Sequence, residues 1–128
     1  MMIEMMKSKI HRATVTGADL SYEGSISLGP ELINAANLLI NEKVDIYNCT
    51  NGQRFSTYVI EGVKGEITLN GAAARLVQKG DLVIIVSYGH FDSEEAKKHT
   101  PAVVFVDSKN RVKSLRNEVA YSRSKLSN

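Results

Sequence analysis

The sequence predicts a mainly-β, barrel-like fold that carries short helical insertions. Most of its 128 residues fall into short segments with two-residue alternation, or into runs of β-branched and aromatic residues, and both patterns are typical of strands. Helical periodicity is limited to three short segments, which do not alternate regularly with the strands as they would in a parallel α/β sheet. The length is that of one ordinary domain, so residues 1–128 are expected to form a single barrel domain.

Seven segments are predicted to be strands. The first three alternate between apolar and polar residues, and the others are β-branched or aromatic segments bounded by glycines, or short apolar runs typical of buried strands. In chain order they cover residues 9–15, 22–28, 43–48, 55–60, 66–69, 82–87 and 102–106.

Three segments are predicted to be helices. The first spans residues 30–39, where Pro30 suits the first turn. One face of this helix would carry its apolar residues Leu32, Ala35, Ala36 and Leu39. The other two helices, over residues 72–77 and 92–98, are two turns or fewer, and Asp92 is placed to cap the last of them.

Composition and hydropathy restrict the possible classes of protein. The 43% hydrophobic and 23% charged residues are close to the average for folded proteins, which argues against disorder and coiled coil. The longest apolar run, residues 82–86, is far shorter than a membrane span, and Glu4 and Lys7 interrupt the region where a signal peptide needs an apolar stretch. We therefore expect a cytoplasmic protein without a membrane partner. Cys49 is the single cysteine, so we expect neither an internal disulfide nor a thiolate metal cage.

The charge is uneven along the chain. The net charge is +2, but residues 107–128 contain six basic and two acidic residues, a local charge of +4. Such a tail can follow a nucleic-acid backbone, yet it contains one aromatic residue, Tyr121, and no nucleic-acid-binding motif. A solvated C-terminus is the preferred interpretation, and no nucleic-acid partner is expected. The basic residues of this tail are Lys109, Arg111, Lys113, Arg116, Arg123 and Lys125.

No conventional catalytic motif is present in the sequence. The three histidines, His11, His90 and His99, lack the helical spacing of a metal site, so no metal is expected. There is no G-x-S-x-G turn and no glycine-rich phosphate loop. Cys49 with a distant histidine is too weak a signal to indicate a thiol nucleophile.

Three local features are unusual in combination. A glycine immediately precedes a serine in Tyr22-Glu23-Gly24-Ser25, a turn leads into a polar and aromatic strand over residues 51–58, and small residues follow a strand at 70–74. Each feature alone has an ordinary explanation, as a turn, a hairpin or a helix start packed against a sheet.

Taken with residues 9–16, these segments resemble the aspartate 1-decarboxylase family, the pyruvoyl-dependent enzymes that make β-alanine for pantothenate synthesis. The resemblance covers nearly the whole chain in length, order and spacing, and Gly80-Asp81 looks like the glycine-aspartate turn of a double-psi β-barrel. The resemblance therefore implies that fold, with short helical insertions. This sequence differs from the family pattern at residues 62–65, where some members have a slightly longer loop, and no catalytic position is affected. The most specific matches are residues 9–16, 18–25, 51–58 and 70–75.

The resemblance implies that the chain cuts itself between Gly24 and Ser25, giving a β chain of residues 1–24 and an α chain of residues 25–128. Ser25 would attack the Gly24 carbonyl, and glycine has no Cβ to obstruct this approach or to forbid a strained backbone. Elimination and hydrolysis would then convert Ser25 into a covalent pyruvoyl group, which does the work of pyridoxal phosphate. Thr57 is the implied helper of this maturation step, through a hydroxyl that could polarise the Gly24 carbonyl or hold an ordered water.

The resemblance also implies the chemistry of turnover. The pyruvoyl ketone condenses with the amino group of L-aspartate and takes up electrons when the α-carboxylate leaves as carbon dioxide. Tyr58 is the implied donor of the proton that Cα then needs, because a phenol holds its proton at neutral pH. Thr57 precedes Tyr58 on a predicted strand, so the two side chains are expected on opposite faces.

A dicarboxylate substrate needs cationic recognition, and the residues that match the family motif are Lys9 and Arg54. Arg54 supplies a planar fork for bidentate binding, and Lys9 supplies a compact charge on a flexible stem. Which carboxylate each binds stays open. The further substrate-binding residues that the resemblance implies are Thr57, Gly71, Ala72 and Ala73. The residues implied to line or orient the pocket are His11, Tyr22, Tyr47 and Asn70.

Family members are homotetramers with active sites at subunit boundaries, so the resemblance implies a homotetramer. Two alternatives from other classes stay open. One is a non-catalytic double-psi barrel that serves as a binding or regulatory module, which would have no reason to cut itself. The other is an unrelated serine-nucleophile enzyme, for which His11 is the nearby candidate base for Ser25.

Overall fold

The structure is a computed structural model that describes residues 1–117 of the chain. Within these residues it contains nine strands, two short α-helices and one 3₁₀ helix. The elements are β1 (Met2–Thr14), β2 (Gly17–Asp19), β3 (Ser25–Leu28), α1 (Pro30–Ala35), β4 (Lys43–Asn48), β5 (Arg54–Glu61), β6 (Ile67–Asn70), the 3₁₀ helix η1 (Gly71–Leu76), β7 (Leu82–Asp92), α2 (Ser93–Lys98), β8 (Ala102–Val106) and β9 (Val112–Asn117).

The strands form one mixed sheet in the order β2-β6-β3-β5-β4-β7-β1-β8-β9. β3 pairs in parallel with β5 and antiparallel with β6, so it lies between two strands that follow it in the chain. β1 pairs antiparallel with β7 and in parallel with β8. This mixed pairing, with short helices at the connections, confirms the mainly-β, barrel-like fold that the sequence predicts.

The sheet has an apolar inner face that forms the core. Ile10, Ile85 and Ile46 lie in register across β1, β7 and β4, and each is at most 1% exposed. Val59, Ile26 and Leu69 form an equivalent fully buried row across β5, β3 and β6. Because side chains alternate along a strand, the residues that immediately precede and follow each row residue in its strand point to the outer face of the sheet.

The strands differ from the prediction mainly in length and number. β1 begins at Met2 and β7 continues to Asp92, because the two strands pair with each other as far as the Met2–Asp92 contact. The second predicted strand begins at Ser25 and not at residue 22. β2 and β9 were not predicted. β2 pairs along one side with β6, which is distant in sequence. β9 pairs along one side with β8, the preceding strand.

The helices are shorter or tighter than predicted. α1 begins with Pro30 as expected but ends at Ala35, since Asn37 takes a positive φ of 55° that breaks the helix. Leu39 is therefore 72% exposed and lies outside the apolar helix face, whereas Leu38 is buried. The segment predicted as a helix over residues 72–77 is the 3₁₀ helix η1. The predicted cap of α2 is confirmed, because Asp92 forms a reciprocal capping box with Glu95.

Two sequence features concern the surface and the C-terminus. Among residues 1–117, no helix combines the length and apolar character needed to cross a membrane. Lys113 and Arg116 of the basic tail belong to β9, while Arg123 and Lys125 lie outside the described residues.

Candidate active site

Ser25 is a buried serine at the start of β3, only 1% exposed. Its hydroxyl donates a hydrogen bond to the Glu23 carbonyl at 2.9 Å and accepts one from Asn70 Nδ2 at 3.0 Å. The same Asn70 amide donates to the hydroxyl of Ser27 at 3.0 Å. The antiparallel pairing of Ser25 with Asn70 across β3 and β6 brings these groups together. The Ser25 hydroxyl is therefore held in a defined position directly after Gly24.

Gly71, and not Gly24, is the conformationally constrained glycine next to Ser25. Gly71 has a positive φ of 68°, and a Cβ on it would lie 2.7 Å from the Cα of Gly24 and 3.3 Å from the carbonyl oxygen of Tyr22. A Cβ on Gly24 would meet nothing within 4 Å, and Gly24 is not among the positive-φ glycines. This open space concerns residues other than the adjacent Ser25, so the expectation that the missing Cβ of Gly24 eases the approach of the Ser25 hydroxyl stays a prediction. The backbones of residues 24 and 71 approach so closely that residue 71 has no room for a Cβ, which only glycine lacks.

Gly71→Ala is expected to destabilise the fold by about 1–3 kcal/mol, because alanine disfavours the positive φ and its Cβ would push against the Gly24 backbone. Gly24→Ala is the matched control, with an expected change within about 0.5 kcal/mol because its Cβ meets open space. Urea unfolding of both variants, in a Ser25→Ala background that excludes self-cleavage, measures the difference. Equal losses of stability in the two variants would show that the close approach at Gly71 does not constrain the fold.

Thr57 and Tyr58 lie on opposite faces of β5. Thr57 shares the inner face with Phe55 and the buried Val59, whereas Tyr58 is 36% exposed on the outer face. The parallel register pairs Ile26 with Val59, so the preceding residues, Ser25 and Tyr58, come to the same end of β3 and β5. Tyr58 therefore lies on the strand next to Ser25, with its side chain on the more solvent-exposed face.

The remaining predicted polar residues gather on the outer face of the sheet. Lys9 pairs with Val86 on β7, which pairs in turn with Asp45 on β4. Since cross-strand partners point to the same face, this row lies opposite the buried isoleucine row. His11 on β1 and Tyr47 on β4 follow two residues later on the same face. Along the sheet, three strand spacings of about 4.8 Å separate Lys9 on β1 from Arg54 on β5.

Arg54 packs against an aromatic ring. Its guanidinium carbon lies 4.0 Å from the ring centroid of Tyr47, its cross-strand partner. The two residues help to line an open cavity of about 200 Å³, together with Asp45 and Ser56 of the outer face and with the neighbouring Phe55. Burial, followed by the neighbouring Tyr88 and Asp45, raises the pKa of Tyr47 to about 12. Tyr47 therefore stays neutral at physiological pH while it contacts the arginine.

His11 is placed among cations and is not bonded to Ser25. Partial burial lowers its pKa below the usual value of 6.5, and the charges of Lys9, Arg12 and Arg116 lower the pKa further. The imidazole is thus mainly neutral at pH 7. Its Nδ1 has no hydrogen-bond partner within residues 1–117, and the ring meets Phe105 edge-on. The Ser25 hydroxyl is bonded to Glu23 and Asn70 and not to His11, which disfavours the alternative of an unrelated serine-nucleophile enzyme with His11 as its base.

The small residues after β6 divide between the surface and the core. Ala72 is exposed on η1, close in sequence to Gly71, whereas Ala73 packs against the core cluster. The side chain of Tyr22 is 55% exposed, although its backbone carbonyl meets Gly71. The candidate residues thus form two groups within one chain. Ser25, Asn70 and Gly71 lie at the β3–β6 pair, and the cationic residues Lys9 and Arg54 lie on the outer face, on β1 and β5.

Three polar residues of the outer face were not singled out from the sequence. Ser56 donates to Asp45 at 2.6 Å, and the hydroxyls of Tyr47 and Tyr88 lie 2.8 Å apart. Alternation in 43–48 and 55–60 already places Asp45 and Ser56 on the faces of Tyr47 and Arg54, and this signal could have identified them. The partnership with Tyr88 spans 41 residues and leaves no local pattern.

No group of three or more His, Cys, Asp or Glu side chains within the described part of the chain is arranged to hold a metal ion. The candidate site itself offers a buried serine, a tyrosine, an amide and two cations.

Comparison with known proteins identifies the family. The family model described as Aspartate decarboxylase matches residues 1–113. The Aspartate 1-decarboxylase of Bdellovibrio bacteriovorus is 68% identical over 92% of this chain and 95% of its own length. The protein of the same name from Syntrophus aciditrophicus is 63% identical over 85% of this chain and 96% of its own length. The one from Acetivibrio thermocellus is 58% identical over 92% of this chain and 95% of its own length. With a family match over nearly its whole length and relatives this similar, the chain belongs to the aspartate decarboxylase family.

Proposed function

We propose that this protein removes the α-carboxylate of L-aspartate to give β-alanine and carbon dioxide, and so supplies β-alanine for pantothenate biosynthesis. Family membership supports the reaction. The observation that carries the proposal within the molecule is the buried Ser25 hydroxyl, held by Asn70 directly after the Gly24–Ser25 peptide bond. A binding or regulatory module has no need of such an arrangement. Formation of β-alanine from aspartate by the purified protein tests the reaction directly.

Maturation would use the chain's own Ser25. Its oxygen bonds to the Gly24 carbonyl carbon, the peptide C–N bond breaks, and the hydroxyl proton passes to the nitrogen, which leaves an ester. Loss of the proton on the Ser25 Cα with breakage of the Cβ–O bond then releases residues 1–24 with a Gly24 carboxylate. The dehydroalanine left at residue 25 takes up one water and loses one ammonia to give the pyruvoyl group of the 25–128 chain.

The surroundings of Ser25 fit a small neutral group with hydrogen-bonding oxygens. Asn70 offers an amide donor already directed at Ser25, and Gly71 leaves the backbone at Gly24 without side-chain obstruction. We infer that Asn70, Gly71 and Tyr58 would surround the pyruvoyl group. That group supplies an electrophilic carbonyl that accepts the electrons of the breaking Cα–carboxylate bond. Thr57 would assist maturation by donating its hydroxyl to the Gly24 carbonyl.

Substrate handling falls to the polar residues of the outer face and of β5. Arg54 would bind one carboxylate of aspartate with its planar fork, and Lys9 would provide the second positive charge. Tyr58 would deliver a proton to Cα after carbon dioxide leaves. Thr57, Gly71, Ala72 and Ala73 would contact the substrate, with His11, Tyr22 and Tyr47 lining the pocket.

The assembly that we propose is a homotetramer with sites at subunit boundaries. The separation of Lys9 and Arg54 along one sheet, and the openness of the face that carries them, support a site that a second subunit helps to enclose. We propose a cytoplasmic location, where aspartate is available, with no nucleic-acid or membrane partner. The cofactor would be the covalent pyruvoyl group, without a metal or pyridoxal phosphate.

Arg54→Lys is expected to lower kcat/KM for aspartate about 10- to 100-fold, because the change keeps the charge but loses the bidentate fork. Arg111→Lys is the matched control, since Arg111 pairs with Asp107 on the exposed β8–β9 turn and should leave kcat/KM unchanged. Steady-state assays with aspartate and with glutamate complete the test. Equal turnover of aspartate and of an amino acid without a side-chain carboxylate would contradict a dicarboxylate site.

A further inference from the structure

A chain of hydrogen-bonded side chains lies behind Arg54 on the outer face. Ser56 donates its hydroxyl to Asp45 Oδ1 at 2.6 Å, and the Tyr47 hydroxyl reaches Asp45 Oδ2 at 3.4 Å. The Tyr47 hydroxyl also lies 2.8 Å from the hydroxyl of Tyr88, on β7. The four residues come from β4, β5 and β7 and meet through their side chains. The ring of Tyr47 is therefore fixed at its hydroxyl end by two neighbours.

This arrangement fixes Arg54 without using its hydrogen-bond donors. The guanidinium carbon lies over the Tyr47 ring, 4.0 Å from the centroid, and this cation–π contact uses none of the five N–H donors in a hydrogen bond. Asp45 is close to this pair, but the hydroxyls of Ser56 and Tyr47 are the groups bonded to it, and no salt bridge joins Asp45 to Arg54. The planar fork of Arg54 thus stays available for a carboxylate.

We propose that Tyr88 and Asp45 are positioning residues for substrate recognition, which act by holding the Tyr47 ring and, through it, the guanidinium of Arg54. The inference rests on the proposed function and explains how that site selects a dicarboxylate. Neither Tyr88 nor Asp45 is proposed to touch the substrate. Their effect is to reduce the freedom of a long arginine side chain, so that less entropy is lost when the carboxylate binds.

The protonation state of Tyr47 supports this role. With its pKa raised to about 12, the phenol keeps its proton and can donate to Asp45 or to Tyr88 across the physiological range. An ionised Tyr47 would instead repel Asp45. The network is therefore expected to hold Arg54 equally well at pH 7 and pH 9.

The test uses Tyr88→Phe, which removes one hydroxyl and keeps the ring. We expect KM for aspartate to rise about two- to tenfold, the usual effect of one lost hydrogen bond, with kcat within about twofold of the parent. The dissociation constant of succinate, measured by calorimetry, should rise by the same factor. His90→Gln is the matched control, because His90 lies two residues further on the same face of β7 and contacts Glu4 instead of Tyr47.

A double-mutant cycle separates positioning from a general structural role. Tyr47→Phe with Tyr88→Phe should bind succinate no more weakly than the weaker single variant, because both changes break the same hydroxyl contact. A lower melting temperature for Tyr88→Phe with unchanged KM and unchanged succinate affinity would overturn the inference, as would additive losses in the cycle. Succinate binding does not depend on decarboxylation. An inactive parent protein that still shows the weaker binding in Tyr88→Phe would therefore contradict the proposed reaction and leave the positioning role supported.

Discussion

Ser25→Ala is expected to yield one uncut chain of 128 residues and no β-alanine from aspartate. Alanine has no oxygen to attack the Gly24 carbonyl, so neither the ester nor the pyruvoyl group can form. The loss should be complete, because the variant would lack the proposed pyruvoyl group, which accepts electrons, and not merely a contact to the substrate. Denaturing mass spectrometry measures cleavage, and chromatography of the reaction mixture measures β-alanine.

Ser27→Ala is the matched control for this variant. Ser27 is the second serine bonded to the Asn70 amide and is buried on the same strand, so its loss perturbs the same surroundings without removing the nucleophile. It should still cleave between Gly24 and Ser25. Normal cleavage in Ser25→Ala, or cleavage that requires Ser27, would mean that the nucleophile is misassigned.

Tyr58→Phe is expected to cleave almost normally and yet lose about 10²- to 10⁴-fold in the rate of decarboxylation, the usual weight of general acid catalysis. Thr57→Val should show the reverse pattern, with slow appearance of the two fragments. The difference follows from β5, where Tyr58 points outward and Thr57 points inward. Fragment formation and β-alanine production are followed separately in both variants. A fully cleaved Tyr58→Phe enzyme that works at the parental rate would assign the proton to another group or to water.

The strands that line the site could be predicted because they are half-buried. Alternation in residues 43–48 and 55–60 gives the faces of Tyr47, Thr57 and Tyr58, and burial in the structure follows the same two-residue period. β2 and the N-terminal part of β1, before residue 9, were not predicted. They are strands because they pair with β6 and β7, and that pairing leaves no strong pattern in their own residues.

The finer geometry of the site depends on contacts between segments that are far apart in the chain. Gly71, 47 positions after Gly24, approaches the Gly24 backbone closely with a positive φ, at the point where η1 follows β6, and no local pattern around Gly24 indicates this contact. Arg54 could be identified from the family motif, whereas the Tyr88 hydroxyl that fixes its aromatic neighbour could not. Sequence reasoning identifies residue types and faces, and it does not give the register that brings β7 beside β4.

The intact mass of the denatured parent protein reports directly on self-processing at the Gly24–Ser25 bond. Two species are expected, residues 1–24 and residues 25–128, and the larger one should react with hydrazines and lack a free amino terminus. Because maturation takes up one water and releases one ammonia, the two masses together should exceed that of the uncut chain by about 1 Da, whereas simple hydrolysis would add about 18 Da. A single uncut chain from fully active protein, or a pair of fragments with the hydrolysis mass and a free Ser25 amine, would mean that Ser25 does not become a pyruvoyl group.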